Sequence, residues 1–135
     1  MKKMLSLLIV CVLMGCGENR VLIDDLINKG SEEFDIWYFE DVLFSGEGYN
    51  VASDGTLILE CEIKDGQYDG VYRTWYNNGQ LYGETNYSNG KLNGIMKSWL
   101  EDGQLFLEDN YVDGELTEEI YIINNGWNWK SKMSE

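Results

Sequence analysis

The chain has 135 residues, enough for one domain, and it carries 24 acidic and 10 basic residues for a net charge of −14 at pH 7. So acidic a chain is repelled by nucleic-acid phosphates and by anionic lipid headgroups, which disfavours nucleic-acid binding and electrostatic docking to a membrane. It contains no histidine and three cysteines, so neither a zinc site nor a histidine base can be assembled, and we expect no metal, no cofactor and no catalytic residue.

The first fifteen residues follow the plan of a secretory signal. Lys2 and Lys3 form a basic start, and the apolar run at 4–14 is too short to span a bilayer. Removal of this segment would take the net charge from −14 to −16, because those two lysines are its only charged residues. Cys11 would be removed with the segment. If Cys16 is acylated, Cys61 is then the one free thiol of the mature chain.

The signal ends in a short motif that is a candidate for lipidation. Residues 13–16, Leu-Met-Gly-Cys, resemble the lipobox of bacterial lipoprotein signals. That resemblance implies cleavage after Gly15 and acylation of Cys16, whose acyl chains would anchor the protein stably in a membrane. The alternative is a chance cysteine after a buried apolar helix. Gly17 is not an aspartate that would ask for inner-membrane retention, so we expect the cell envelope, with the outer membrane favoured over the inner in a Gram-negative cell.

Residues 16–41 are predicted to form the anchor, a linker and an N-terminal cap. We expect a short helix or turn at 21–28, with its apolar side chains turned inward and its end at Gly30. A strand is predicted at 34–39, where aromatic residues cluster. The cap would cover one end of whatever domain follows.

From 42 to 129 the same residue types return at an offset of 24. Two full units, 66–89 and 90–113, are flanked by a degenerate unit starting near Val42 and by a fading one, and 130–135 is a tail. The recurring residues expected to define the repeat are Gly66, Gly70, Trp75, Gly79 and Leu81, then Gly90, Gly94, Trp99, Gly103 and Leu105.

Asx-Gly pairs, which favour positive φ and mark hairpin turns, punctuate each unit, and we include Asp69-Gly70 and Asn93-Gly94 among those turns. Strand-length runs rich in aromatic and β-branched residues lie between the pairs, and proline is absent. The predicted fold is therefore all-β: tandem antiparallel hairpins of about 24 residues that stack into an elongated single-layer sheet with a short N-terminal cap.

The register of each hairpin depends on the length of its loop. A two-residue loop at 78–79 would pair Trp75 with Tyr82, whereas a three-residue loop at 77–79 with a left-handed glycine pairs Trp75 with Leu81. We prefer the second, because the apolar residues then agree across the turn.

The same register pairs Val71 with Thr85 and assigns two faces. The more apolar face would carry Val71, Trp75, Leu81 and Tyr87, then Ile95, Trp99, Leu105, Leu107 and Tyr111. The other would carry Tyr72, Tyr76, Tyr82 and Glu84, then Met96, Leu100, Phe106 and Glu108. We expect Trp75 and Trp99 to be core residues.

Aromatic residues make up 13% of the chain, and on a one-layer sheet they serve as core or as a contact platform. The candidates for a contact surface with a protein or glycan are the rings of the second face, Tyr72, Tyr76, Tyr82 and Phe106.

The other candidate chemistry is weak. Glu60, Glu84 and Glu108 recur at equal spacing, which makes a ladder rather than a converging acid–base pair, and Cys61 has no basic neighbour closer than Lys64 to lower its pKa.

The repeat resembles the MORN repeat in its short bacterial form. The strings at 69–81, Asp-Gly-Val-Tyr-Arg-Thr-Trp-Tyr-Asn-Asn-Gly-Gln-Leu, and at 87–94, Tyr-Ser-Asn-Gly-Lys-Leu-Asn-Gly, carry the resemblance. Upstream, 43–46 is similar to the lead-in of a YwqK-type antitoxin family, with Leu43 in the place of a usual proline. The likeness covers about 21–126 and implies an architecture rather than a function.

The leading hypothesis is a non-enzymatic, membrane-anchored repeat protein that binds a protein or surface partner, or acts as a scaffold, at the cell envelope. The alternative is an antitoxin or immunity-like protein that neutralises a toxin by direct binding. An enzyme is disfavoured by the lack of any convergent cluster of reactive side chains.

Overall fold

A computed structural model describes residues 19–31, 35–123 and 127–131. In these ranges the protein is all-β, with one short turn of 3-10 helix at Ile23–Asp25. No helix in the described ranges is long and apolar enough to cross a membrane. The predicted signal at 1–15 and the lipidation candidate Cys16 lie outside the described residues.

The strands form one long sheet and one small one. In chain order they are β1 Arg20–Leu22, β2 Ile27–Asn28, β3 Trp37–Phe39, β4 Val42–Leu43, β5 Gly46–Val51, β6 Leu57–Lys64, β7 Gln67–Trp75, β8 Leu81–Ser88, β9 Lys91–Leu92, β10 Gly94–Trp99, β11 Leu105–Val112, β12 Glu115–Ile123 and β13 Trp127–Ser131. The long sheet has the order β1-β5-β6-β7-β8-β10-β11-β12-β13, with β9 paired to β8. β1 runs parallel to β5, and the other neighbours are antiparallel. The predicted open sheet of tandem hairpins is confirmed.

The predicted three-residue loop is confirmed at 77–79. Tyr76 N–H donates to the Gln80 carbonyl at 2.9 Å, Gly79 has φ +83, and Trp75 lies opposite Leu81. The Asn78 side chain accepts a hydrogen bond from Gln80 N–H at 2.9 Å, which is the local bond that makes Asx residues suited to turns. The same backbone hydrogen bonds close the loops at 52–56 and 100–104.

The two-residue turns join one repeat to the next. Each has an Asx residue and a glycine that both adopt positive φ, as a type I′ hairpin turn requires. The glycine N–H then donates to a carbonyl of the preceding unit. These bonds are Gly66 to Phe44 at 2.7 Å, Gly90 to Tyr68 at 2.8 Å and Gly114 to Leu92 at 2.8 Å. The period of 24 is therefore a period of hydrogen bonds between units.

The expectation that Asp69-Gly70 and Asn93-Gly94 are hairpin turns is wrong. Gly70 lies inside β7 with φ +120, and Gly94 begins β10 with φ +108. At Gly70 the register between β6 and β7 shifts, and a β carbon there would overlap the side chain of Glu62. This glycine serves the close approach of two strands at a bulge rather than a reversal of the chain.

An extra residue follows the loop and changes the register of the whole strand. Trp75 lies opposite Leu81, but the next pair is Thr74 opposite Gly83, so Tyr82 is the additional residue of a β-bulge. The same shift recurs one repeat earlier and one repeat later. Its extra residues are Ile58, Tyr82 and Phe106.

The predicted pairing of Val71 with Thr85 is therefore wrong by one residue. Val71 lies opposite Asn86, and Thr85 lies opposite Tyr72. Because side chains alternate along a strand, a slip of one residue moves every later side chain of β8 to the other face.

We call the face that carries Cys61 the inner face and the opposite one the outer face. The inner face includes Cys61, Tyr72, Thr85, Tyr87, Met96, Leu107, Asp109 and Tyr111. The outer face includes Val71, Arg73, Glu84, Ile95, Lys97 and Glu108. The predicted faces were wrong in mixing these sets: Tyr87, Leu107 and Tyr111 join Tyr72, while the glutamates join Val71 and Ile95.

The core lies between the inner face and the cap. Its buried apolar residues are Leu26, Phe44, Cys61 and Ile63. Trp75 and Trp99, which were expected in the core, are only half-buried and do not belong to this cluster.

The cap itself differs in detail from the prediction. Of the helix or turn predicted at 21–28 the chain forms a 3-10 turn at Ile23–Asp25, flanked by β1 and β2. The strand predicted at 34–39 begins at Trp37, and Phe34 lies outside the described residues. The small sheet β2-β3-β4 is tied to the repeats by Trp37 N–H, which donates to the Gly66 carbonyl at 2.7 Å.

Gly66 and Gly79 offer a matched test of this docking, since their φ angles, +78 and +83, carry nearly the same backbone strain. A β carbon on Gly66 would meet Leu43 Cδ2 at 2.7 Å and the Trp37 carbonyl at 3.0 Å, whereas one on Gly79 would meet nothing within 4 Å. We expect Gly66→Ala to lower the free energy of unfolding by about 1–3 kcal/mol more than Gly79→Ala, because overpacking adds to strain. Urea denaturation measures both, and equal losses would show that the cap does not press on this turn.

Candidate binding surfaces

One repeat position supplies the most buried row of the sheet. Cys61, Thr85 and Asp109, each 24 residues apart, are 0%, 8% and 5% exposed. The residue at this position becomes more polar along the chain, from thiol to hydroxyl to carboxyl. Burial, with weaker contributions from nearby glutamates, raises the pKa of Cys61 to about 12, so at neutral pH it is a protonated core residue rather than a nucleophile.

Four aromatic rings join the cap to the first repeat on the inner face. Tyr68 lies 6.1 Å from Trp37, 5.5 Å from Tyr72 and 5.3 Å from Tyr87, measured between ring centroids. Burial raises the pKa of Tyr72 to about 12, which keeps its hydroxyl neutral. The expectation that Tyr72 belongs to an exposed contact surface is therefore wrong, because Tyr72 lies opposite Cys61 and packs against the core cluster.

The outer face carries a row of alternating charges that explains the repeated glutamates. Arg73 Nε donates to Glu84 at 2.7 Å and its guanidinium lies 3.7 Å from Glu60, while Lys97 lies 3.4 Å from Glu108. The glutamates thus alternate with the repeated basic residues across neighbouring strands. Arg20 of β1 extends the row, 3.3 Å from Glu60. This arrangement is cross-strand pairing rather than acid–base chemistry.

Two repeat positions beside the three-residue loops present apolar side chains to solvent. We call Tyr76, Tyr82, Leu100 and Phe106 the loop-end strip. The rings of Tyr76 and Tyr82 meet edge to face with centroids 5.0 Å apart, and the Tyr76 hydroxyl donates to the Trp99 carbonyl at 3.0 Å. Tyr82 and Phe106 are 50% and 43% exposed, and both are bulge residues. Three of the four predicted contact residues, Tyr76, Tyr82 and Phe106, thus lie in this strip.

The end of the buried row is an acidic region. One carboxylate oxygen of Asp109, Oδ1, is buried without a hydrogen-bond partner in the described part of the chain. Glu119 of β12 lies opposite it on the same face. Burial first, and then the charge of Glu119, raise the pKa of Asp109, while a hydrogen bond with Tyr111 opposes the shift. Across 101–123 there are eight acidic residues and no basic one.

None of these features is a metal centre. Within 19–31, 35–123 and 127–131, no three Cys, Asp or Glu side chains are placed to hold a metal ion. The contacts that the fold does build are apolar packing, cross-strand ion pairs and one acidic region. They suit recognition of another molecule better than bond making.

The family comparison matches the two central units. Residues 68–89 and 92–113 match the family described as MORN repeat variant. These two segments are therefore similar to MORN repeat variants. Each begins two residues inside a predicted unit and spans the long strand, the three-residue loop and the returning strand. The searches of curated proteins and of solved structures found no match. The MORN repeat domain is typically non-catalytic, in keeping with these surfaces.

The charged row of the repeats predicts a modest, salt-sensitive stabilisation. Arg73→Met would remove two ion pairs but keep the apolar stem, and we expect a loss of about 0.5–1 kcal/mol in the free energy of unfolding, because the partly exposed groups are screened by water. Lys97→Met, which removes one pair at 3.4 Å, should lose less. Urea denaturation at low and high salt measures both. A loss for Arg73→Met that does not shrink with salt would contradict an electrostatic role.

Proposed function

We propose that this protein is a non-catalytic binding or scaffolding module whose MORN repeats present the loop-end strip to a protein partner. The observation that carries the proposal is the exposure of Tyr82 and Phe106, large apolar rings at the same bulge position of successive repeats. Exposed apolar side chains scattered singly are ordinary, but an aligned set beside packed loops is typical of a contact surface.

The strip is also held in place before any partner arrives. Tyr76 is fixed by its bond to the Trp99 carbonyl, and the Asn78 side-chain amide donates to the Glu101 carbonyl at 3.4 Å, so the loop of one repeat is tied to the loop of the next. Fixed aromatic side chains lose little conformational entropy on binding and are enriched among residues that dominate interface energies.

The test is an affinity capture from the native envelope with matched variants. We expect Tyr82→Ser with Phe106→Ser to lose a partner that the wild type retains, because the apolar contact area is removed. Val42→Ser with Val112→Ser, which removes side chains that are 68% and 51% exposed elsewhere, should retain it. Circular dichroism checks that both variants keep the β signal. Retention of the same partner by the strip variant would overturn the proposal.

We also propose that the module is anchored to a membrane of the cell envelope through Cys16. The support is the lipobox-like sequence at 13–16, behind a basic start and a short apolar run. Cys16→Ser should move the protein from the membrane fraction to the soluble one, because the acyl chains are lost. Cys61→Ser is the matched control and should leave it in the membrane fraction. Membrane association of Cys16→Ser would refute the anchor.

Neutralisation of a toxin by direct binding is the narrower form of the same function, and the residues from Leu43 to Gly46 are what favours it. Coexpression with the product of the neighbouring reading frame tests it. Rescue from toxicity that is lost with Tyr82→Ser and Phe106→Ser would support it, and a non-toxic neighbour would count against it.

A further inference from the structure

We propose that the inner face of the last repeats, at Asp109 and Glu119, binds a lysine or arginine side chain from a basic segment of the partner protein. The proposal rests on the proposed function, since it names the chemistry of the partner. It concerns a surface other than the loop-end strip, so the two can be tested separately.

Asp109 is the one charged residue in the buried row formed by Cys61, Thr85 and Asp109. The residue is 5% exposed and its Oδ1 has no partner among the described residues, although buried carboxylates are ordinarily paired. One and two repeats earlier, neutral Thr85 and Cys61 fill the same position at similar burial. The fold therefore does not require a charge there, and a buried carboxylate whose Oδ1 has no partner opposes stability.

The residues opposite Asp109 on the neighbouring strands offer it no positive charge. Asp109 faces Glu119 on β12 and Met96 on β10, so a carboxylate and a thioether flank it across the neighbouring strands. Lys97, which follows Met96 in β10, belongs to the outer face, where it pairs with Glu108. Burial and Glu119 both raise the pKa of Asp109, which means that its anionic form lacks a counter-charge. A cationic side chain would supply that charge.

The apolar cluster beneath the cap does not extend to this part of the sheet. The core cluster and the apolar residues packed on it end at Tyr72 in the chain, and none of the side chains that the structure describes in β10, β11 or β12 belongs to it. The inner face of the first repeat is thus occupied by the chain itself. The same face continues to Asp109 and Glu119, and the segment 101–123 as a whole holds eight acidic residues and no basic one.

Charge decides between the occupants of this face. A second copy would carry the same net charge of −14 and be repelled, whereas a basic segment is attracted at long range and paired at contact. A bare metal ion would find too few ligands, because no set of three acidic or thiol side chains converges in the described ranges.

The experiment measures binding of a short peptide of alternating lysine and serine to the full chain by titration calorimetry. The central variant is Asp109→Thr, which introduces the residue that the fold already buries at position 85. We expect it to weaken the peptide by about tenfold or more, since a buried charge pair is lost. Glu119→Gln should weaken it too. Glu40→Gln makes the same change of net charge on the exposed cap and should change the affinity by less than about twofold.

The free energy of unfolding distinguishes a binding role for Asp109 from a structural one. A structural role predicts that Asp109→Thr is less stable than the wild type, whereas a binding role predicts that it is more stable. Asp109→Thr should unfold at a higher urea concentration than the wild type at neutral pH. An acid whose pKa is raised in the folded state binds more protons there than when unfolded, so the wild type loses stability as pH rises through the interval between the two pKa values. The advantage of Asp109→Thr should therefore grow with pH across that interval. Glu119 and Tyr111 face the same carboxyl and remain in both proteins.

Several outcomes would overturn the inference. They are unchanged peptide affinity in Asp109→Thr, an equal loss in Glu40→Gln, binding of an all-serine peptide, lower stability of Asp109→Thr, or dimerisation of the chain through this face. The strip variant Tyr82→Ser with Phe106→Ser should still bind the lysine peptide. If that variant loses the partner but still binds the lysine peptide, the two proposals are shown to concern different surfaces. If the wild type fails to bind the lysine peptide but still captures its partner through the strip, only the proposal about Asp109 is overturned.

Discussion

The extra residue that follows each three-residue loop is the constraint on which the rest of the structure depends. Tyr82 and its equivalents open a bulge, and every side chain beyond the bulge changes face. The bulge brings Tyr87 to the inner face beside Tyr72, where both rings pack against Tyr68. It also sends the repeated glutamates to the outer face. The bulge residues Tyr82 and Phe106 lie beside the three-residue loops and are exposed. One local irregularity therefore affects the packing of the core, the charged row and the loop-end strip.

The two faces of the sheet differ in the interactions that they carry. Backbone hydrogen bonds from the type I′ turns fix the spacing of the repeats, and the outer row of ion pairs adds small, screened contributions along it. On the inner face the burial supplied by the cap ends with the first repeat. Along the buried row the residue changes from Cys61 to Thr85 to Asp109 and so becomes more polar.

The fold was largely predictable because its signals are local. A period of 24, Asx-Gly turns and the Trp75–Leu81 pair follow from a few neighbouring residues, and the structure contains each of them. The candidate site was only partly predictable. Tyr76, Tyr82 and Phe106 were placed near the exposed end, but Tyr72 was not separated from them, since the alternation of a regular strand offers no sign of a bulge.

The sequence by itself determined the repeat length, the all-β class, the loop that closes each hairpin and the excess of negative charge, because composition and turn chemistry act within a few residues. Only the tertiary structure decided which face is buried. That choice depends on the one-residue slip at each bulge and on where the cap lies, both of which are fixed by contacts between residues far apart in the chain. It also decided that Asp69-Gly70 forms a bulge within a strand. The glycine is needed there because a β carbon would overlap the Glu62 side chain of the neighbouring strand, and not because the chain turns.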